Sequence, residues 1–327
     1  MGAGPAKQRT GDHHRGAAAG GVRAGPGGRW HPGPTLRSRA VTTDAAAEIA
    51  AGDRFAFGEN WARFLEVLDD DRIAAAETSL RTMLDLADGT DLTGRTFLDI
   101  GSGSGLFSLA ARNLGATVHS FDFDPHSVAC TTELRRRYHP GDPDWTVQQG
   151  SVLDPGYLAG LGLFDIVYSW GVLHHTGAMW DALANVAPLV APHGRLFIAI
   201  YNDQGTASNR WARVKRRYNQ GGPGQRRAIL AGVRAYEAAK PLPTLVASQA
   251  YYLAQHGRLR HLPKADVAPA RGMDRDRDLI DWVGGWPFEV ATPEAIFDFY
   301  RERGFTLVHL ATCGGGLGCN EFVFRRD

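Results

Sequence analysis

The segment from residue 96 to residue 125 constrains the fold of this chain more than any other. Residues 96–100 form a short apolar run with β-branched and aromatic side chains, which fits a buried strand and is too short for a helix. Three glycines then follow at alternate positions, Gly101, Gly103 and Gly105. Apolar residues at helical spacing predict a helix over residues 106–114. A glycine backbone between a strand and a helix can turn sharply and lie against a ligand.

Acidic residues lie near the ends of the first two predicted strands. Asp99 is close to the carboxyl end of the first strand, and the second strand, Thr117 to Phe121, is followed by Asp122. Open α/β sheets bind their ligands at the carboxyl edge of the parallel strands. We therefore expect Asp122 beside the glycine turn, at the ligand-binding edge of the sheet.

The glycine spacing distinguishes between the ligands that such a turn can bind. The dinucleotide fingerprint is G-x-G-x-x-G, in which the third glycine permits close helix packing beneath a pyrophosphate. Here the pattern is G-x-G-x-G, and Leu106 occupies the position of that third glycine. A nicotinamide-dependent oxidoreductase is thus disfavoured, although it is the alternative enzyme on this topology. A glycine turn with a purely structural role is the other alternative.

Three further elements follow at regular intervals. Residues 164–169 form a compact strand, residues 179–189 an amphipathic helix, and residues 194–201 a strand after a Pro-His-Gly turn. With the first segment, they resemble the class I S-adenosylmethionine-dependent methyltransferases, in particular the small-molecule type that includes ubiquinone-biosynthesis-like methylases. The matching pieces are LDIGSGSG, VHSFD, QGSVLD, FDIVYSWGVLHH and APHGRLFIAIYN. They come in the family's order and spacing over roughly residues 54 to 205.

The resemblance implies S-adenosylmethionine as the cofactor and assigns contacts to it. The glycine turn is expected along the amino-acid portion of the cofactor, with Asp99 near its methionine end. Asp122 is expected to accept hydrogen bonds from both ribose hydroxyls, and Phe123 to lie against the adenine face. For Asp99, a cap on the following turn is the structural alternative.

The expected adenine edge departs from the family pattern. Many relatives have an acid directly after the glycine, where this chain has Ser151. The Ser151 hydroxyl and the Val152 amide are expected to meet the adenine instead, with Asp154 as a substitute or only as a cap on the following turn. Trp170 begins the loop after the fourth strand, where a π-face can hold the positive sulfonium.

The same loop contains two adjacent histidines. His174 and His175 are candidates for a general base that takes a proton from an acceptor hydroxyl, because imidazole titrates near neutral pH. The alternative is that one of them only packs or hydrogen-bonds the loop. No metal is expected, since adjacent side chains diverge and the sequence offers no evident third ligand.

Aromatic residues outside these motifs are candidates for the acceptor side of the site. Trp61 belongs to an aromatic-rich helical stretch before the core, and Tyr201 ends the fifth strand. Trp282 and Trp286 flank two glycines, and indoles beside a flexible turn suit a substrate lid. Core packing is the alternative for the tryptophans.

The order of these features divides the chain into five parts. They are a disordered basic arm, helices that cover the cleft, the methyltransferase core, a helical cap insertion, and a terminal helix with two strands: residues 1–40, 41–90, 91–202, 203–291 and 292–327. The predicted fold is α/β, a Rossmann-like, doubly wound and mostly parallel sheet of seven strands with an antiparallel last strand. Within the insertion, residues 209–219 are basic and suit a clamp for an anionic acceptor or, alternatively, a solvated face.

Composition narrows the class of protein further. The chain has 327 residues, of which 43% are hydrophobic and 22% charged, and no apolar run is long enough to span a bilayer. Residues 1–40 contain seven Lys or Arg and one acid, a net +6, so the remainder carries 1 − 6 = −5. The arm lacks the apolar centre of a secretory signal, and binding of nucleic acid by it is not expected. Three cysteines without a paired motif fit a reducing cytoplasm.

These observations predict transfer of a methyl group from S-adenosylmethionine to a small-molecule acceptor. We expect oxygen on a phenol, sugar or natural-product scaffold as the accepting atom, ahead of nitrogen and carbon. Methyl transfer is an in-line displacement, so alignment of the acceptor with the methyl group and the sulfur is the main task of the enzyme. A noncatalytic module that keeps the cofactor site is the alternative from another class.

Overall fold

The computed structural model describes residues 44–87, 89–259 and 275–327. The predicted basic arm over residues 1–40 lies outside this described part, as do residues 260–274 of the predicted insertion. The described residues form a sheet with helices on both faces and a group of helices after the fifth strand.

Seven strands make up the sheet, in the order β3-β2-β1-β4-β5-β7-β6. Their bounds are β1 Thr96–Ile100, β2 Thr117–Asp122, β3 Trp145–Gln149, β4 Phe164–Trp170, β5 Val190–Tyr201, β6 Phe305–Ala311 and β7 Cys319–Arg326. β7 is antiparallel to both of its neighbours, and the pairs among β1 to β5 are parallel. The predicted Rossmann-like sheet with an antiparallel last strand is confirmed.

The central strands are buried on both faces, which explains their nearly continuous apolar sequences. In β1, Leu98 packs in the cluster on one face and Phe97 in the cluster on the other. Ile198 and Phe197 divide in the same way in β5. These side chains are at most 1% exposed, and burial of each contributes about 1.5–3 kcal/mol.

The helices of the described residues border the sheet and continue after β5. In chain order they are α1 Ala45–Ala50, α2 Phe57–Phe64, α3 Asp70–Met83, α4 Leu106–Asn113, α5 Pro125–Tyr138, α6 Pro155–Ala159, α7 Met179–Val186, α8 Thr206–Gln220, α9 Pro223–Ala239, α10 Leu242–His256, α11 Arg275–Gly284 and α12 Pro293–Arg301. No helix in this described set is long and apolar enough to cross a membrane.

Element ends differ from the sequence predictions for identifiable reasons. The helix predicted over 179–189 ends at Val186, and Ala187–Leu189 form a 3₁₀ turn that contains Pro188, which has no N–H to donate. The strand predicted from residue 194 begins at Val190, because the Pro-His-Gly turn is accommodated as an irregularity in the pairing of β4 with β5.

The helices after β5 form a cap with a small apolar core of its own. Its buried members are Tyr218 of α8, Val233 of α9 and Val283 of α11, and Phe55 from the segment before α2 packs against them. α8 and α11 therefore enclose the carboxyl edge of the sheet together with α2. This agrees with the helical cap insertion that the sequence predicts.

Candidate active site

A cavity of about 460 Å³ lies at the carboxyl ends of β1, β2 and β4. Its volume is within the range of small-molecule sites, about 300–1,000 Å³. The glycine turn after β1 and Asp122 of β2 form one side, and aromatic side chains from α2, β5 and α11 form the other. The order of the strands brings these parts together although they are up to 282 − 57 = 225 residues apart in the sequence, from Phe57 to Trp282.

The glycine turn depends on the missing side chains at two positions. A Cβ at Gly101 would lie 2.4 Å from Val172 Cγ1, and one at Gly103 would lie 2.9 Å from Trp61 Nε1. Both residues have positive φ, 75° and 56°, which L-residues seldom adopt. Gly105, in contrast, is not part of the cavity wall. It begins α4 with φ 81° and packs against Thr131, so its role in this structure is to shape the turn.

Asp122 hydrogen-bonds both the glycine turn after β1 and the turn that follows β2. Its Oδ2 accepts a hydrogen bond from Gly103 N (3.0 Å) and its Oδ1 accepts one from Asp124 N (2.9 Å). Burial raises the pKa of Asp122 to about 6 despite these hydrogen bonds. Asp124 continues the chain of contacts, since its Oδ2 accepts from Gly58 N in α2 (3.0 Å).

Asp99 lines the cavity and is 2% exposed. Its Oδ2 accepts a hydrogen bond from Ser108 Oγ (2.5 Å), which also contacts Ser120 Oγ (2.7 Å), and Ser120 Oγ accepts from Trp145 Nε1 (2.9 Å). This network joins three strands and α4, and Asp99 also accepts a hydrogen bond from the backbone of Ser108 in the first turn of α4. Burial raises the pKa of Asp99 to about 7.

Phe123 follows Asp122 into the cavity wall and carries a cation above its ring. The Arg54 guanidinium carbon lies 4.8 Å from the ring centroid of Phe123. Arg54 also donates to Glu48 Oε2 (2.6 Å) and to the carbonyl of His175 (3.2 Å). Sequence reasoning missed this residue. Its place just before the aromatic stretch was the only available signal, and a single arginine there has many ordinary roles.

The predicted adenine edge and the loop after β4 also reach the cavity. Ser151 and Val152 line it, and Ser151 Oγ accepts from Leu153 N (3.2 Å). Asp154 does not line it, because its Oδ1 caps α6 by accepting from Gly156 N (2.9 Å). Trp170 lines the cavity with its indole fixed by a hydrogen bond from Nε1 to Glu321 Oε1 (2.9 Å).

The two histidines occupy different positions. His175 lines the cavity and is 5% exposed, whereas His174 is fully buried and is not part of the cavity wall. His174 Nδ1 accepts from Tyr201 N (3.4 Å), so the backbone of β5 engages that nitrogen. Of the two predicted bases, the structure brings only His175 to the site.

His175 is held in one tautomer. Its Nδ1 lies 2.6 Å from the carbonyl oxygen of Pro287, which can only accept, so Nδ1 carries the proton and Nε2 presents a lone pair. Burial, together with repulsion from Lys215, lowers the pKa of His175 to about 3. Burial also lowers the pKa of His174 well below its ordinary value. Both imidazoles are therefore neutral at physiological pH.

The four aromatic candidates for the acceptor side do not all line the cavity. Trp61, Tyr201 and Trp282 line it, with Tyr201 and Trp282 ring centroids 5.1 Å apart. Trp286 does not line it, and its carbonyl accepts from Phe55 N (2.9 Å) at the base of the cap.

The glycines between the two tryptophans are buried rather than part of an open turn. A Cβ at Gly284 would lie 2.2 Å from Phe55 Cε2, and one at Gly285 would lie 2.7 Å from His175 Cε1. The segment therefore packs directly against the site loop.

Lys215 is a further residue that the sequence pattern did not identify. Among the basic residues of the 209–219 pattern, it is the buried one, and its Nζ donates to the Trp282 carbonyl. The ammonium lies 4.2 Å from the Trp282 ring, 4.7 Å from the Phe288 ring and 5.4 Å from the Tyr201 ring. Burial lowers its pKa to about 7. A basic run in a sequence does not reveal which of its members points inward.

The cavity contains oxygen acceptors, aromatic faces and a neutral imidazole, but no metal cluster. No group of three or more His, Cys, Asp or Glu in the described ranges is arranged to hold a metal ion. The arrangement is suited to a ligand with hydroxyl groups near Asp122 and a cationic or flat portion between the aromatic rings.

Comparison with known proteins matches the same region of the chain. Residues 98–196, which contain the glycine turn, Asp122 and both histidines, match the family model described as a methyltransferase domain. The ribosomal protein L11 methyltransferase of Methylococcus capsulatus is 40% identical over 72 residues, which are 22% of this chain and 25% of that protein. The tRNA U34 carboxymethyltransferase of Klebsiella pneumoniae is 33% identical over 139 residues, which are 39% of this chain and 40% of that protein.

The chain thus spans less than half of the length of these curated relatives. Among solved structures, the magnesium protoporphyrin IX methyltransferase from Synechocystis PCC 6803 with bound SAH aligns with a TM-score of 0.47 at 14% identity. That alignment covers 82% of this chain and 94% of the other.

Proposed function

We propose that this chain methylates a small-molecule acceptor on oxygen. The premise is that the chain belongs to the class I S-adenosylmethionine-dependent methyltransferases. One observation carries the proposal: the glycine turn, Asp122 and the neutral His175 line the same cavity of about 460 Å³. Nitrogen and carbon acceptors are the next candidates. The family match supports this function over the nicotinamide-dependent alternative.

The residues around Asp122 fit the donor. A carboxylate has about four lone-pair positions, and Gly103 and Asp124 use two of them, so two remain for the ribose hydroxyls. At Gly101 and Gly103, Val172 and Trp61 pack so close that no Cβ fits, and the bare backbone of the turn forms the cavity wall that would meet the amino-acid portion. Trp170 and Phe123 line the cavity, and aromatic rings suit a cationic and an aromatic part of the ligand.

S-adenosylmethionine supplies an electrophilic methyl group on a sulfonium, which the acceptor oxygen takes as the carbon–sulfur bond breaks and its electrons return to sulfur. This chain's own residues position the acceptor and receive its proton. His175 Nε2 accepts the hydrogen bond from the acceptor hydroxyl, and the proton passes to it as the new bond forms. Its low pKa makes His175 mainly an orienting group, so alignment provides most of the acceleration.

The shape of the acceptor side favours a small, flat molecule. Phe57, Tyr201 and Trp282 enclose it from α2, β5 and α11, and aromatic rings pack best against flat apolar groups. The relatives named above are named for action on a ribosomal protein and on tRNA. The enclosure of this cavity by the cap is the feature that supports a small molecule here.

The first experiment is calorimetric titration of the full chain with S-adenosylhomocysteine and, in parallel, with NADH. We expect binding of S-adenosylhomocysteine alone. Binding of NADH alone contradicts the proposal and supports the oxidoreductase. If neither binds, the proposed donor site is wrong.

Asp122→Asn tests the assignment of the ribose site. Loss of a charged acceptor is expected to weaken S-adenosylhomocysteine binding by about 1.5–3 kcal/mol, the range for hydrogen bonds to charged groups. Because burial raises the pKa of Asp122 to about 6, affinity for the wild type is also expected to fall as the pH drops below 6. Asp154→Asn, at the cap of α6 outside the cavity, is the matched control. Equal affinities for Asp122→Asn and the wild type contradict the assignment.

The histidine role is tested by turnover with labelled donor over a panel of phenols and sugars. His175→Gln is expected to lower kcat at least tenfold with little change in S-adenosylhomocysteine affinity, and His174→Gln is expected to act through stability. A larger loss of kcat in His174→Gln than in His175→Gln, with both variants folded, contradicts the assignment.

A further inference from the structure

One helix of the cap is unlike the others in sequence and surroundings. α10 contains no Asp, Glu, Lys or Arg, and none of its residues is buried. Leu242, Val246 and Leu253 are spaced at i, i+4 and i+11 and therefore share one face of the helix. Their exposed fractions are 50%, 66% and 46%, so this aliphatic stripe faces solvent.

Other apolar side chains of the same segment, outside the stripe, are exposed as well. Tyr251 in α10 and Leu259 just after it are each 67% exposed, and Tyr236 near the end of α9 is 56% exposed. Scattered apolar residues are normal on a surface, whereas a group within one short segment marks an interaction site.

The same segment is strongly basic. Residues 206–259 contain ten Lys or Arg and one acid, Glu237, a net +9. Apart from the buried Lys215, all of the basic residues are exposed: Arg210, Arg213, Arg216, Arg217, Arg226, Arg227, Arg234, Lys240 and Arg258. With +6 in residues 1–40 and +1 for the whole chain, the remainder carries 1 − 9 − 6 = −14. Positive charge is thus concentrated in the segment that contains α10, and Lys240 and Arg258 flank this helix in the sequence.

The combination of exposed aliphatic side chains and positive charge favours one kind of binding partner over the others. A second copy of this surface would bring basic residues against basic residues, which repel. RNA phosphates match the arginines, but a nucleic-acid backbone offers no partner to three aliphatic side chains. An anionic lipid surface matches both, because headgroups attract arginine and the acyl boundary accepts leucine and valine.

We propose that α8, α9 and α10 form a peripheral membrane-docking surface, in which the stripe of α10 enters the headgroup boundary of an anionic bilayer and the exposed arginines contact its headgroups. α10 has 15 residues, fewer than the roughly 20 needed to span a bilayer, so it lies in the plane of the interface. Docking is independent of methyl transfer.

The test is co-sedimentation of the full chain with vesicles. Wild type is expected to bind vesicles of phosphatidylcholine mixed with phosphatidylglycerol, to bind phosphatidylcholine vesicles at least tenfold more weakly, and to be released by high salt. The triple variant Leu242→Gln, Val246→Gln and Leu253→Gln is expected to lose at least tenfold in partition. Leu163→Gln, which replaces a leucine that is 56% exposed before β4, is the matched control and is expected to bind as wild type.

A charge variant tests the contribution of the exposed arginines. Arg213→Gln with Arg217→Gln is expected to weaken binding to anionic vesicles, whereas Arg136→Gln in α5 is not. Circular dichroism melting verifies that each variant is folded. Equal binding to neutral and anionic vesicles, or unchanged binding by the triple variant, overturns the proposal. So does tight binding of an RNA oligonucleotide without vesicle binding, or a dimer in light scattering that the triple variant abolishes.

Discussion

Asp99→Asn is expected to stabilise the protein at alkaline pH. Asp99 is 2% exposed, and its carboxylate accepts hydrogen bonds from the hydroxyl and the backbone of Ser108. The asparagine oxygen can accept the same hydrogen bonds, so the substitution removes a buried charge and preserves the contact. The size of the stabilisation depends on the free energy of ionising Asp99 in the folded protein.

The magnitude follows from the pKa. Burial raises the pKa of Asp99 from 3.8 to about 7, which is about 3 pKa units or about 4 kcal/mol. Because the folded protein holds this proton more tightly than the unfolded chain, the contribution of Asp99 to stability falls as the pH rises from about 4 through 7. The advantage of Asp99→Asn over wild type is therefore expected to grow by about 3 kcal/mol between pH 5 and pH 8.5.

The assay is urea denaturation of ligand-free wild type and variant at both pH values. The difference between the two proteins cancels the titration of all other groups, provided that their pKa values are unchanged. Ser108→Ala is the control, since it removes the hydrogen bond from the hydroxyl and keeps the carboxyl, so it should retain the decline of stability with rising pH. A difference between Asp99→Asn and wild type that is constant or shrinks with pH refutes the reasoning.

Three other predictions concern the turn and the cap. Gly103→Ala is expected to weaken S-adenosylhomocysteine binding at least tenfold in calorimetry, because the new Cβ would lie 2.9 Å from Trp61 Nε1. The control is Gly94→Ala, which is also at positive φ but in open space and should bind as wild type. Lys215→Met is expected to raise the unfolding free energy by about 2–4 kcal/mol at pH 6. The advantage should shrink to less than about 1 kcal/mol at pH 10, because the unfolded chain also loses this proton as the pH rises from 7 towards 10.5; urea denaturation at both pH values checks it. Gly284→Ala should lower the unfolding free energy by about 1–3 kcal/mol through the clash with Phe55, and Gly232→Ala in open space within α9 should not.

The sheet was predictable from the sequence because its signals are local. Residues 96–100 read as a strand and the structure has β1 at the same bounds, since an apolar run between a polar start and glycines leaves little choice. The mostly parallel sheet of seven strands with an antiparallel last strand followed from the resemblance rather than from any periodicity. The beginning of β5 was missed because the turn at His193 interrupts the pattern while the strand continues.

The cavity wall was harder to predict because it depends on which way neighbouring side chains point. His174 and His175 are adjacent and chemically identical, and only the 3₁₀ turn at Leu173–His175 decides that the second faces the cavity. Arg54 and Lys215 are cations in stretches that resemble ordinary surface sequence. Their contacts lie 121 and 67 residues away, at His175 and Trp282, and no local pattern records them.

The tie between Asp124 and Gly58 links the two halves of the cavity. Asp124 is joined to Asp122 by one hydrogen bond and to α2 by another, and α2 carries Trp61 into the acceptor side. A ligand that immobilises the Asp122 turn also immobilises α2, which a second ligand must contact. The conformational entropy of ordering these elements is then lost only once for the two ligands. We therefore expect positive cooperativity between donor and acceptor, and linkage then requires that each raise the affinity of the other by the same factor.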